Sequence, residues 1–424
     1  MSFQQGLSGL SAASTQLDTI GNNVANASTV GYKAGQAQFA DVYANSLNNA
    51  SASNVGIGVK VAQVQQQFTQ GNISTTKNPL DIAINGDGFF RVSDNGVISY
   101  SRNGQFTLDK NGYIVNATGN RLTGYAVNAD GVLLKGTPVE LNINTSDLAP
   151  KATSGVTAKL NLDSSETAIN TAAPYQFDPA DPDTYHNATT VTVYDSLGNS
   201  HDLQTYYVKS ASNVWQVWGI TDPAAYATGA AATPPASPPA GITNLGQLTF
   251  TTSGAIDTTA TTLPFVANMT VGTGATTTLD FNIDFTGTTQ YGSKFGVNTL
   301  KQDGFASGRL SSFTVSPDGI LTGSYTNGKS ATLGQVVLAN FSNPNGLQPL
   351  GNNLWTETSA SGQPMVGAPD TSDLGVLQSY AVEDSNVDLT AELVNMITAQ
   401  RYYQANAQTI KTQDAVMQTL VNLR

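Results

Sequence analysis

From Val387 to Arg424 the chain runs for 38 residues with neither glycine nor proline. A stretch that long without a breaker reads as one helix, roughly 57 Å from end to end at 1.5 Å per residue. Its apolar residues define what the helix is for. Leu389, Leu393, Met396, Tyr403, Ala407, Ile410, Met417 and Val421 recur at alternating four- and three-residue spacing, interrupted by Gln400 and Asp414. That is a narrow a/d-type seam, suited to one or two partner helices rather than to a broad sheet. Val416, Leu420 and Leu423 widen the face near the end. Ser385 and Asp388 form a capping-box-like start, and acids at the start with Arg424 at the end suit the helix dipole.

The other end of the chain mirrors this one. Residues 3–27 read as a helix with Phe3, Leu7, Leu10, Leu17 and Val24 on the same spacing, Ser14 and Gly21 filling the positions between. Such a stripe is most often ordinary packing inside one domain. Here both seams lie at the extreme ends, and each is too narrow to cover a sheet. They are therefore expected to pack on each other and on further copies of the chain. Burying each apolar side chain stabilises by about 1.5–3 kcal/mol, against roughly 1–2 kcal/mol for each backbone residue ordered. Ordering of the ends is thus expected to be coupled to assembly.

Everything between the helices reads as β. Residues 73–145 alternate apolar and polar residues around Asn85-Gly86, Asp87-Gly88, Asn95-Gly96, Asn103-Gly104 and Asn111-Gly112. These dipeptides suit tight hairpins in which both central residues take positive φ. Residues 305–356 repeat the style with Asp318-Gly319 and Asn327-Gly328. Residues 157–285 form a further β stretch interrupted by the Pro/Ala-rich loop 229–241. The expected fold is mixed, mainly β with N- and C-terminal α-helices. It is an elongated multidomain chain whose paired terminal helices make a coiled-coil-like inner domain from which the β domains project outward. The expected divisions are 1–72 with 364–424 (helical assembly domain), 73–145 with 286–363 (first β domain) and 146–285 (outer β domain).

Composition narrows the function. Only 11% of residues are charged, roughly half the usual share, as in many extracellular β proteins. The net charge is -12, and without a basic patch to neutralise phosphates no nucleic-acid partner is expected. Residues 146–284 hold 12 acids and 3 bases, so this part reads as a solvated outer region. There is no cysteine and there are two histidines, His186 and His201. Thiol chemistry and His-rich metal centres are thereby excluded. The first residues lack the basic and apolar regions of a cleaved signal peptide, and no apolar run is long enough for membrane insertion.

Three local patterns invite a chemical reading. Gly323–Ser330 fits the P-loop letters, but a P-loop opens a helix and the run after it, Leu333–Phe341, is strand-like. A hairpin turn at Asn327-Gly328 is expected instead. His201-Asp202 lacks a second ligand element. Asp178, Asp181 and Asp183 could hold Ca²⁺ weakly, yet they lack EF-hand spacing and read as an acidic loop. No Ser/His/Asp set is suggested. No catalytic, cofactor-binding or metal-binding residues are assigned, and the chain is not expected to be an enzyme.

The terminal segments also resemble a family. Gly6-Leu7-Ser8-Gly9-Leu10, then Leu17–Asn26, then Thr29-Val30-Gly31-Tyr32-Lys33, is similar to the N-terminal signature of flagellar rod and hook proteins. Ser385–Leu389, Met396-Ile397, Gln400-Arg401 and Tyr403–Asn406 resemble their C-terminal signature. Asn78–Ile84, Gly88-Phe89-Phe90 and Tyr100–Gly104 resemble their first β domain. The rod members are shorter and lack an insert like 146–284, so the resemblance favours the hook branch. A distal rod subunit and a secreted β-rich adhesin are the alternatives. The resemblance implies a structural subunit that leaves the cell through the flagellar type III export apparatus without a cleaved signal peptide. It implies self-assembly into a curved tube that transmits torque as a universal joint, in contact with rod, hook cap and hook-filament junction proteins. The assembly interface is expected at Phe3, Leu7, Leu10, Leu17, Val24, Leu389, Leu393, Met396, Tyr403, Ile410 and Met417. Phe39 and Tyr43 resemble part of an export-recognition element.

Overall fold

A computed structural model describes residues 2–42, 56–128, 131–144, 146–170, 177–222, 241–272 and 274–422. Its two long helices stand at the ends of the chain, α1 (Ser2–Ala25) and α2 (Leu389–Asn422). The segment between them is strand, turn and loop with two short 3₁₀ turns among the described residues. The mainly β reading with a helix at each end is what the structure has. The start of α2 differs from the expected capping box. Asp388, not Ser385, is the cap: its Oδ1 accepts from the amides of Thr390 at 2.9 Å and Ala391 at 3.1 Å. Ser385 Oγ instead accepts from the Val387 amide, one turn too early.

The chain divides into two compact units. The first comprises Met1–Thr145, Ser311–Ser324 and Ser330–Arg424; the second comprises Ser146–Leu310 and Tyr325–Lys329. The expected outer domain ended at 285, but 286–310 belongs with the second unit. Strand 296–302 runs antiparallel to strand 155–163, and strand 289–291 runs parallel to it. A break at 285 would cut that sheet.

The β part of the first unit centres on a sheet in which the hairpin 89–94/97–101 sits beside strands 121–125 and 354–356. Its core is aromatic. Phe89, Tyr100, Phe341 and Trp355 are buried with Ala339 and Leu347, and Phe68 packs against them. Their rings meet edge to face, Tyr100 on Phe341 at 4.8 Å and Phe68 on Phe89 at 5.4 Å, a geometry that adds to the burial of their area.

The turns are more varied than the dipeptides suggest. At Asn95-Gly96 both residues have positive φ, 50° and 95°, as a two-residue hairpin requires. At Asn111-Gly112 only the glycine does; Gly112 N–H donates to Asp109 O, and Asp109 Oδ1 caps the loop. Gly104 is needed for another reason. A Cβ there would lie 1.7 Å from Ile82 O, because the two backbones touch where Ile82 N–H donates to Gly104 O.

The second unit is a sandwich. An antiparallel four-stranded sheet (187–194, 200–211, 214–220, 242–249) faces a five-stranded one (155–163, 265–270, 278–284, 289–291, 296–302). Strand 265–270 alternates buried and exposed without a break, as a sheet with one wet face should. Trp215, Tyr207, Leu160, Leu203, Phe281 and Phe285 fill the space between the sheets.

Candidate assembly interface

Helices α1 and α2 pair antiparallel. Asn23 of α1 meets Glu392 near the start of α2, and Gly6 meets Ile410 toward its end. Small residues allow the approach. A Cβ on Gly6 would lie 3.1 Å from Ile410 Cγ1, and one on Gly9 would lie 2.7 Å from Asn406 Oδ1. Ala13, Ile20 and Asn23 continue the buried face of α1, and among the described side chains of α2 Ala399 is the buried one. The contact seam is thus shifted by about one position from the apolar seam read in the sequence. Glycine and alanine let two backbones come closer than leucines would, so the leucines are turned away.

The expected interface residues fall into two groups. Leu10, Leu17, Val24, Met396 and Ile410 are half-buried. Phe3, Leu7, Leu389, Leu393, Tyr403 and Met417 are exposed, by 38% to 61% of their surface. Val394, Ile397, Tyr402, Val416 and Val421 are exposed beside them. This leaves two exposed apolar patches on α2 that α1 does not cover, one from Leu389 to Tyr403 and one from Val416 to Val421, separated by the stretch where Ile410 packs on Gly6. Soluble surfaces rarely gather so many exposed large apolar side chains on one helix unless something packs on them.

Where the helices join the β part, the contacts are polar. Glu383 is fully buried and accepts from Lys33 Nζ at 2.6 Å, Arg102 Nη1 at 3.2 Å and the Gly71 amide at 2.8 Å. Its carbonyl accepts from the Gly31 amide at 2.7 Å. Lys33 also donates to Thr69 O, and Arg102 to Gly86 O while lying over the Phe89 ring. Burial pushes both cations below their ordinary pKa, and the Glu383 carboxylate opposes that push. Asn386 clasps the start of α2, accepting from the Ala34 amide and donating to Gln67 O. Asn23 does the same for the end of α1, bonding both backbone groups of Gly35.

This network was missed in the sequence. Lys33 and Arg102 lay inside recognised motifs, but nothing near them in sequence named Glu383 as their partner. The available signal was one acid in the strand Ala381-Val382-Glu383, where an apolar residue would be ordinary.

The remaining sequence features resolve locally. Phe39 lies on strand 35–42, 40% exposed, at a bulge against strand 58–66. Tyr43 and most of the Pro/Ala-rich loop lie outside the described residues. Gly323–Ser330 is the tip of a hairpin, strand 320–325 pairing with 330–336, and Lys329 lies over the Phe305 ring. Asp178 and Asp181 use their carboxylates to accept from the amides of Ala180 and Asp183 around a short 3₁₀ turn. His201 faces Asp195 at 3.1 Å rather than its neighbour Asp202, which holds Thr192. Among the described residues no group of three potential ligands could hold a metal ion, and no helix is long and apolar enough to cross a membrane.

A helix at each end, small residues at their contact and β units between define a flagellar axial subunit, and four family models agree along the chain. They are a flagella basal body rod protein model at 3–33, a flagellar hook protein FlgE/F/G D1 domain at 83–158, a flagellar basal body protein FlaE D2 domain at 161–305 and a flagellar basal body rod FlgEFG protein C-terminal model at 378–423. The D2 match falls inside the second unit. The flagellar hook protein FlgE of Salmonella typhimurium is 43% identical across 100% of both chains, and that of Escherichia coli is 42% identical, also across 100% of both. The FlgE of Borreliella burgdorferi is 31% identical over 100% of this chain and 99% of its own. A crystal structure of Helicobacter pylori flagellar hook protein FlgE2 shares the fold, with a TM-score of 0.52 over 73% of this chain and 100% of that one, at 13% identity. The chain belongs to the flagellar hook protein family and is a structural subunit of the hook; neither the distal-rod nor the adhesin reading has support.

Proposed function

We propose that this subunit polymerises through the apolar stripe of α2, together with Phe3 and Leu7 of α1, against the helices of neighbouring copies. The helix pairs form the inner layer of a curved tube, and the β units face outward. The tube acts as a universal joint carrying torque from rod to filament. Rod, hook cap and hook-filament junction proteins adjoin it, and subunits reach the growing end unfolded through the type III export apparatus. Phe39 and Tyr43 would be read by that apparatus. In this layout the molecule has three parts: a helical foot, a first β domain and an outer β domain.

The observation that carries the reading is the set of exposed apolar side chains on α2, Leu389 to Tyr403 and Val416 to Val421. Full burial of such side chains is worth about 1.5–3 kcal/mol each, and those that are half-exposed have about half of that still to gain. Leu389, Leu393, Val394 and Ile397 near the start of α2 and Val416, Met417 and Val421 near its end are left uncovered by α1. An open polymer needs head-to-tail contacts between unlike surfaces, and a stripe on one helix with a different face on the other supplies them. The polar β surfaces suit bending, since Ser, Thr, Asn and Gln hydrogen bonds exchange with water at small cost.

Two substitutions test the reading. Leu393→Asp places a charge on the exposed stripe; the chain should fold and melt as the parent does and form no tubes. Ile410→Asp places one against Gly6; it should loosen the helix pair itself. Normal tubes from Leu393→Asp, seen by negative-stain microscopy, would remove the stripe from the assembly contact.

A further inference from the structure

Near its joint with the β part the helix pair buries little apolar surface, while farther along α1 packs on the strand pair 35–42/58–66, Ser8 against Gly58 and Thr19 against Gly35. Ile20 is the last buried apolar side chain of α1, and Asn23 follows it; before Ala399, α2 buries none. What joins the two is directional: the Glu383 network, the Asn23 clasp on Gly35 and the Asn386 clasp on residues 34 and 67. Apolar packing tolerates small rotations, whereas hydrogen bonds to fixed backbone groups do not.

Four segments distant in sequence meet at one carboxylate: 31–33 just after α1, 69–71, Arg102 in the β part, and 383 just before α2. The approach is close enough that Gly31, at φ 72°, would put a Cβ 2.6 Å from Asn103 N. One carboxylate faces two buried cations, with Asp87 acting on Arg102 from nearby. Replacing a buried ionic cluster wholly by apolar residues is often neutral or stabilising, whereas removing one partner is costly. Such a cluster is therefore weak evidence for stability.

We propose that Lys33, Glu383 and Arg102 are positioning residues for assembly: they fix the direction in which α1 leaves and α2 rises from the β part, and so set the geometry of the polymer. The inference rests on the self-assembly reading, but the network acts already in the free subunit and can be read there.

The chain has no cysteine, so paired spin labels can be placed cleanly. One goes at Thr107→Cys, exposed on the β part. The other goes at Asn395→Cys, exposed within two turns of the start of α2. Three backgrounds are compared: the parent, Glu383→Gln, and Lys33→Met with Arg102→Met and Glu383→Leu together. Glu383→Gln leaves two buried cations facing an amide, and its melting midpoint should fall by roughly 10 °C or more. The triple variant should recover the parent midpoint to within a few degrees. Its label-to-label distance, single and narrow in the parent, should at least double in width, and its polymers should lose a uniform diameter and lattice. Parent-like distances and parent-like tubes from the triple variant would overturn the proposal. So would a triple variant that does not fold, because the network would then be a stability element, and so would Glu383→Gln melting as the parent does. If the stripe reading alone is wrong, Leu393→Asp builds tubes while the distance result stands unchanged.

Discussion

The second unit and the helix pair solve the problem of apolar surface in opposite ways. In the sandwich of the second unit Leu160, Leu162, Tyr207, Trp215 and Phe285 are completely buried, and strands such as 265–270 turn every other side chain inward. The helix pair leaves Leu389, Leu393, Ile397, Met417 and Val421 on the outside and buries Ala13, Ile20 and Ala399. A sheet sandwich can complete its core within one chain, because each sheet covers the other. Two lone helices cannot, because each has a second side. On the proposed reading the parts of this molecule differ in where their folding ends: one within the subunit, the other in contact with further copies.

That contrast can be broken at several points. The largest effect is expected from Leu393→Asp with Met417→Asp. Tube formation should be lost outright, while the melting curve of the free chain stays within a degree or two of the parent. Calorimetry and sedimentation check the two halves, and a large loss of monomer stability would mean that the stripe is already core.

Next comes Trp215→Ala. Its ring is fully buried and its Nε1 donates to Gln290 at 3.1 Å. The cost should be about 3–5 kcal/mol, confined to the second unit. Amide exchange should rise across 155–302 and stay unchanged in α1 and α2. A parallel rise in the helices would show that they and the sandwich fold as one.

The smallest effect concerns acid. Burial pushes the Asp303 carboxyl up, but donors outweigh it: the Ser154 hydroxyl, the amides of Gly155 and Ser154, and Lys151 hold its pKa well below the usual carboxylate range. A carboxylate with a depressed folded pKa contributes stability above its unfolded pKa, near 4, and that stability is lost as pH falls below it. The second unit should therefore weaken progressively below about pH 4, and Asp303→Asn should flatten that decline. An unchanged acid profile in the variant would assign the decline to other groups.

The sequence showed the plan of the molecule but not its joints. The helices were legible because 38 residues without a breaker admit little else, and the strands because alternation and Asn-Gly turns recur. The face of α1 that meets α2 lies one position from the apolar seam. Periodicity ranks Leu7 and Leu10 above Gly6 and Gly9, whereas close helix packing selects the smaller side chains. The boundary near 285 was misplaced because strands 289–291 and 296–302 pair with a strand more than a hundred residues earlier. The Glu383 network was invisible for the same reason: its members are 33, 102 and 383, and no local pattern joins residues so far apart.

On the proposed reading α2 completes its folding on assembly, held at its start by the Asp388 cap and the polar joint and dependent on neighbours beyond. Hydrogen exchange measured along α2 in the free subunit and in the assembled tube tests this most directly. In the free chain, protection should be highest at residues 392–400 and fall toward 411–422, and in the tube it should become uniformly high. Strong and even protection to residue 422 in the free subunit, unchanged on assembly, would contradict it.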